Sequence, residues 1–96
     1  MIIRIVKMTF APEKASEFLE IFNASKLLIR NMEGCTHLEL LNDIKSPNVF
    51  FTFSHWQTEN DLNNYRDSEL FEIVWPKTKK LFAAKAEAWS VNKVEN

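Results

Sequence analysis

One strand-like run constrains the fold more than any other segment. From Val49 to Trp56 the chain reads Val-Phe-Phe-Thr-Phe-Ser-His-Trp. Successive strand residues point to opposite faces, so Val49, Phe51 and Phe53 lie on one face and Phe50 and Trp56 on the other. The first segment repeats the pattern, with Ile3 and Ile5 opposite Ile2, Val6 and Met8. An antiparallel sheet with one wet face should alternate apolar and polar residues. These strands need cover on both faces.

The remaining elements supply one cover. Residues 2–10 are short and β-branched, which predicts a strand. Pro12 suits a first helical turn, where its missing N–H costs nothing. Ala15, Phe18, Leu19, Phe22, Ser25 and Ile29 then mark one face of an amphipathic helix of about five turns. Gly34, the sole glycine, ends that region at a position expected to be left-handed. A second strand runs from Cys35 to Leu41, and the turn-rich 42–48 joins it to the third as a hairpin. Thr58, with Asp61 three residues on, resembles a capping box, and Ser68 offers a second cap. The reading is a short helix near 58–66, a break, and another helix that Pro76 kinks or restarts. Residues 86–94 alternate as a closing strand.

The order is βαββαβ. Split βαβ units of this kind build an α+β, ferredoxin-like domain: a four-stranded antiparallel sheet with helices on one face. Residues 1–96 are expected to form a single domain, burying roughly 65% of its unfolded surface. Eight Phe and three Trp are more large rings than such a core hides, so some should meet a partner or ligand. A second copy packed sheet to sheet is the simplest cover for the bare face, and a homodimer is predicted.

Charge and cysteine content narrow the class. The net charge is −1 with no basic stripe, against nucleic-acid binding. Charges interrupt the short apolar start, which reads as neither a signal peptide nor a membrane span. The single Cys forms no internal disulfide, and the chain reads as cytoplasmic. No His/Cys/Asp/Glu spacing suits a metal, and one glycine furnishes neither a phosphate loop nor a dinucleotide fingerprint. Asn23-Ala24-Ser25 matches a glycosylation triplet only by chance, mid-helix.

With Phe51-Thr52-Phe53-Ser54-His55-Trp56, then Tyr65-Arg66-Asp67-Ser68, Leu70-Phe71, Trp75 and Ala88-Trp89-Ser90, the chain resembles the antibiotic biosynthesis monooxygenase family, small dimeric α+β barrels. The resemblance covers nearly the whole length. It implies a pocket in each subunit between helices and sheet. It also implies oxidation of a small aromatic phenol or quinol by dioxygen, with neither a metal nor an organic cofactor. A base takes a phenolic proton, the anion passes an electron to dioxygen, the radicals recombine, and loss of water leaves a quinone. Other members degrade haem, a branch matched least: the first strand lacks its Asn and the helix after Ser68 lacks its axial His. A non-catalytic dimeric module that binds a small ligand is the alternative.

The candidate residues carry two readings each. Trp56 lines the pocket and donates its indole N–H, or plugs the sheet end. Tyr65 donates a hydrogen bond or relays a proton, or simply packs. His37 is the candidate base, or a strand histidine bonded to a neighbour. Phe18, Phe22, Phe71 and Trp75 are substrate-binding walls or plain core. His55 adjoins Trp56 but takes the opposite face in a regular strand, which assigns it to the dimer seam. Glu39 reads as an ion-pair partner, and Cys35 as an inert buried thiol.

Overall fold

The structure is a computed structural model that describes residues 1–94. Its elements are β1 (Ile2–Thr9), a 3-10 turn at Pro12–Lys14, α1 (Ala15–Arg30), β2 (Cys35–Asn42), β3 (Val49–Trp56), α2 (Glu59–Arg66), α3 (Glu69–Lys79) and β4 (Glu87–Val91). The strands form one antiparallel sheet in the order β2-β3-β1-β4. This is the α+β, ferredoxin-like fold, with βαββαβ order and a second helical unit split in two. Its closing strand is shorter than the alternation over 86–94 suggested.

Register settles which side chains share a face. Ile2, Arg4, Val6 and Met8 pair with Trp56, Ser54, Thr52 and Phe50, and Arg4 and Val6 also face Ser90 and Ala88. This is the helix side. One core cluster here joins Met8, Phe10 and Phe50 with Phe18 and Phe22 of α1 and Leu81 beyond α3. A second joins Cys35 and Trp56 with Leu62 of α2. On α1 the buried residues are Phe18, Phe22, Ser25 and Ile29, the spacing of one helical stripe. Ser25 satisfies its buried hydroxyl by donating to the Ile21 carbonyl at 2.9 Å.

Local chemistry explains the element ends. Thr58 Oγ1 accepts from the Asp61 N–H at 3.0 Å. Ser68 Oγ accepts from the Phe71 N–H at 3.2 Å and donates to the Tyr65 carbonyl at 2.6 Å. The same serine therefore starts α3 and closes the turn after α2. Such a cap stabilises a helix by about 1 kcal/mol. Pro76 neither restarts nor ends α3, which runs through it to Lys79. About one turn follows, closed by the Lys80 N–H donating to the Pro76 carbonyl at 3.3 Å, so the helix loses only the one bond that proline cannot donate.

α1 ends at Arg30, with Asn31 as its cap, three residues before Gly34. The glycine instead serves the turn into β2, where its φ is +83°. A Cβ there would also run into the Asp61 side chain. Two independent reasons therefore exclude a side chain.

The second face of the sheet carries Ile5, Phe51 and Phe53 among partly buried residues. Leu41, Trp89 and Val91 on it are 42%, 44% and 41% exposed. Among the described residues no helix or strand packs over this face.

Candidate functional site

A cavity of about 290 Å³ lies between the helix side of the sheet and the three helices. That is close to the lower end of the ~300–1,000 Å³ usual for small-molecule sites. All six aromatic residues singled out for this side, Phe18, Phe22, Trp56, Tyr65, Phe71 and Trp75, line it. They form a near-continuous belt. Trp56 stacks on Tyr65 with ring centres 5.1 Å apart, and Tyr65 meets Phe71 edge-on at 5.3 Å. Phe71 stacks on Trp75 at 5.6 Å with planes 14° apart. Phe18 and Phe22 close the other end at 6.1 Å. Flat walls of this kind suit a flat ring system.

Trp56 is 1% exposed, and its indole N–H donates to Ser54 Oγ at 2.9 Å. An indole has one donor, so the hydrogen bond envisaged from Trp56 to a substrate oxygen is already committed within the chain. The group left to face a ligand is the Ser54 hydroxyl, whose oxygen accepts from Trp56 and whose own proton is free to turn inward.

Tyr65 is held by stacking between Trp56 and Phe71. Burial, and secondarily the nearby Cys35, push its phenol up to about 12. It is therefore a neutral hydrogen-bond donor at ordinary pH, and a poor proton acceptor.

His37 is not with the other candidates. In β2, Cys35 pairs with Trp56 on the helix side, yet His37 pairs with His55 on the opposite face. A regular strand would keep residues two apart on one face. A β-bulge between Cys35 and His37 spends an extra residue and turns His37 away. The His37 and His55 rings stand 5.0 Å apart, and His37 Nε2 lies 3.3 Å from Glu39 Oε1. The His55 Nε2 and Thr36 Oγ1 atoms are buried without a hydrogen-bond partner among the described residues. Cys35 is buried, and that burial raises its thiol pKa against a weaker opposing pull from the His37 backbone and Arg30. It stays a thiol.

Sequence reading missed the polar lining. Arg4, Ser25, Thr52, Ser54, Arg66 and Thr78 all reach the cavity. Arg4 donates to Ser90 Oγ at 3.0 Å. Burial first, and the like charge of Arg66 second, lower its pKa. No Asp, Glu or His is among the lining residues. Among the described residues no group of three or more His, Cys, Asp or Glu side chains is placed to hold a metal ion, and no helix is long and apolar enough to cross a membrane.

The fold has counterparts among known proteins. The family model for antibiotic biosynthesis monooxygenase matches residues 1–73. An antibiotic biosynthesis monooxygenase structure superposes with a TM-score of 0.93 at 19% identity, over 99% of this chain and 100% of that one. A conserved protein of Methanosarcina mazei Go1 gives 0.91 at 22% identity, over 97% and 93%. Rv0793 of Mycobacterium tuberculosis gives 0.90 at 14%, over 99% and 96%. At such identities the likeness speaks for the fold alone. Among curated proteins no sequence match was found. The family model spans β1 to the first turns of α3, including every strand and helix that builds the Trp56–Tyr65–Phe71 wall, and on that match the chain belongs to the antibiotic biosynthesis monooxygenase family.

Proposed function

We propose that this protein is a cofactor-independent monooxygenase that oxidises a small aromatic phenol or quinol in the cavity between sheet and helices. The observation that carries the reading is the ring-walled cavity in a chain of this family. An electron-rich substrate ionises and passes an electron to dioxygen. Recombination of the radical pair forms a carbon–oxygen bond, and loss of water leaves a carbonyl. One oxygen atom enters the product and the other leaves as water. The protein's share is to exclude water, stack the ring and hold the developing anion. Ser54 and Tyr65 donate hydrogen bonds, Arg4 supplies positive charge, and Phe18, Phe22, Phe71 and Trp75 hold the ring. Trp56 acts through Ser54 and by stacking on Tyr65. With no carboxylate or imidazole in the lining, the phenolic proton is given up to bulk solvent as the substrate enters, before water is excluded, and the arginine field makes that ionisation easier. His37 takes no part in this scheme.

The second sheet face supports the companion proposal of a homodimer packed sheet to sheet. Rings such as Phe53 and Trp89 are what a second copy would cover.

The lack of a base in the lining also favours a second reading, a dimeric module that binds a small aromatic without turning it over. Oxygen uptake separates the two. Chelator-treated protein with a panel of hydroquinones and anthrone should consume dioxygen faster than the blank, and Ser54→Ala and Trp56→Phe should slow it at least tenfold. Uptake at the blank rate across the panel, with the same compounds still bound, would select the binding module.

A further inference from the structure

The charge of the cavity goes further than its shape. Arg4 projects from the middle of β1 into the helix-side space, and Arg66 closes the same cavity from the last turn of α2. Neither is in an ion pair among the described residues, whose two close acid–base contacts are Lys7–Glu87 and His37–Glu39 on the opposite face. Glu87 neighbours Ala88 on β4, but strand alternation sends it away from the cavity. The protein contact recorded for the Arg4 guanidinium is neutral Ser90.

An arginine part-buried against apolar walls is costly without a counter-charge, and a second cation nearby adds to that cost. The arrangement is unfavourable when the cavity is empty of anion and favourable when an anion enters. Guanidinium groups match the planar, two-oxygen geometry of a carboxylate. The belt of Trp56, Tyr65, Phe71 and Trp75 lines the same cavity, and Trp56 is fully buried where Arg66 is exposed.

From this pairing of a cationic rim with a ring-lined interior, we infer that the cavity takes an aromatic acid, a fused-ring compound whose carboxylate sits at Arg4 and Arg66 while its rings lie against the aromatic belt. The inference rests on the cavity being the substrate site and narrows the substrate to a phenol or quinol that also carries a carboxylate. Arg66 is exposed, so it serves as the outer member that draws the anion in. Arg4 is the inner member that holds it.

Binding without turnover tests it. Under nitrogen, 2-naphthoate and its neutral isostere 2-naphthamide are titrated against the full chain and read by quenching of tryptophan fluorescence. Naphthoate should bind at least tenfold tighter than the amide, and added salt should weaken the acid alone. Arg4→Gln and Arg66→Gln should each erase most of that preference, weakening the acid far more than the amide. Equal affinity for acid and amide overturns the inference, as does loss of both ligands together in a folded variant or no binding of naphthoate at millimolar concentration. The monooxygenase reading is judged separately. If the parent oxidises anthrone above the blank rate while naphthoate and naphthamide bind equally, oxygenation stands and the aromatic-acid assignment falls.

Discussion

The two faces of the sheet are built from similar residues and end in opposite conditions. On the helix side Met8, Phe10, Phe50 and Trp56 are all sealed, Phe10 to 0% exposure. On the other side Phe51, Phe53 and Trp89 have the same size and chemistry, and among the described residues no helix lies over them. Burial of a large apolar side chain stabilises by roughly 1.5–3 kcal/mol, so the helix side holds the monomer together and the bare side holds an unused driving force of similar kind. The difference teaches that hydrophobic content alone does not locate the core. What covers each face decides which rings stabilise the fold and which are left for a second molecule. Even the sealed side is incomplete, because the gap between its two clusters is the cavity.

The largest expected effect breaks the helix side. Phe10→Ala removes a ring that stacks on Phe18 at 4.3 Å and should cost about 3–5 kcal/mol, read as an earlier midpoint in urea unfolding. The matching change on the bare side, Phe53→Lys, should leave monomer stability within about 1 kcal/mol but abolish the dimer. Light scattering at micromolar concentration would then give one chain's mass for the variant and two for the parent. A parent of one chain's mass would remove the proposed partner. If Phe53→Lys unfolds the protein as readily as Phe10→Ala, the contrast between faces is wrong.

Smaller effects sharpen the boundary. Trp56→Phe keeps the stacking partner of Tyr65 but leaves the Ser54 hydroxyl without its donor. A loss of roughly 1–2 kcal/mol is expected from the unmade buried hydrogen bond, and Ser54→Ala in the same background should recover part of it. The smallest effect is a pH dependence from the bare side. Burial, then His37 and Lys93, push His55 below its ordinary value, while Glu39 pulls the other way. A histidine whose folded pKa is depressed contributes stability that is present above its unfolded value of about 6.5. That contribution is lost as pH falls through the depressed folded value. His55→Gln should therefore flatten the fall in Tm between pH 7.5 and pH 5.5 by a degree or two. A steeper fall in the variant would reverse the sign of this account.

Much of this was legible in local sequence. Thr58 and Ser68 cap helices because their hydroxyls answer local backbone donors, and both stand where their spacing to Asp61 and Phe71 put them. The facing of Trp56 against His55 follows from strand alternation, which needs no tertiary knowledge. The face that His37 takes was not legible, because one inserted residue in β2 changes the face of everything beyond it, and a bulge has no signature in Gly34-Cys35-Thr36-His37. Arg4 was missed for a different reason. Within Ile-Ile-Arg-Ile-Val-Lys a charged residue reads as solvent-facing, and its neighbour Lys7 does lie on the other face, near Glu87 at 3.8 Å. Only the long-range register of β1 with β3 and β4 puts Arg4 between Ser54 and Ser90. The commitment of the Trp56 N–H to Ser54 is likewise a matter of side-chain direction two residues apart, which spacing permits but does not impose.

The central claim is that the sealed side of the sheet is incomplete for a chemical purpose. Ala88 allows one direct test, because it stands on β4 among the residues that line the cavity, where a larger side chain takes up part of that space. The measurement is dioxygen uptake with anthrone by the chelator-treated protein and by Ala88→Phe, after circular dichroism has shown both to be folded. Uptake well above the blank in the parent and at the blank rate in the plugged variant is the predicted result. Equal uptake by the two proteins, or a parent no faster than the blank, would contradict the assignment of this cavity as the site of oxygenation.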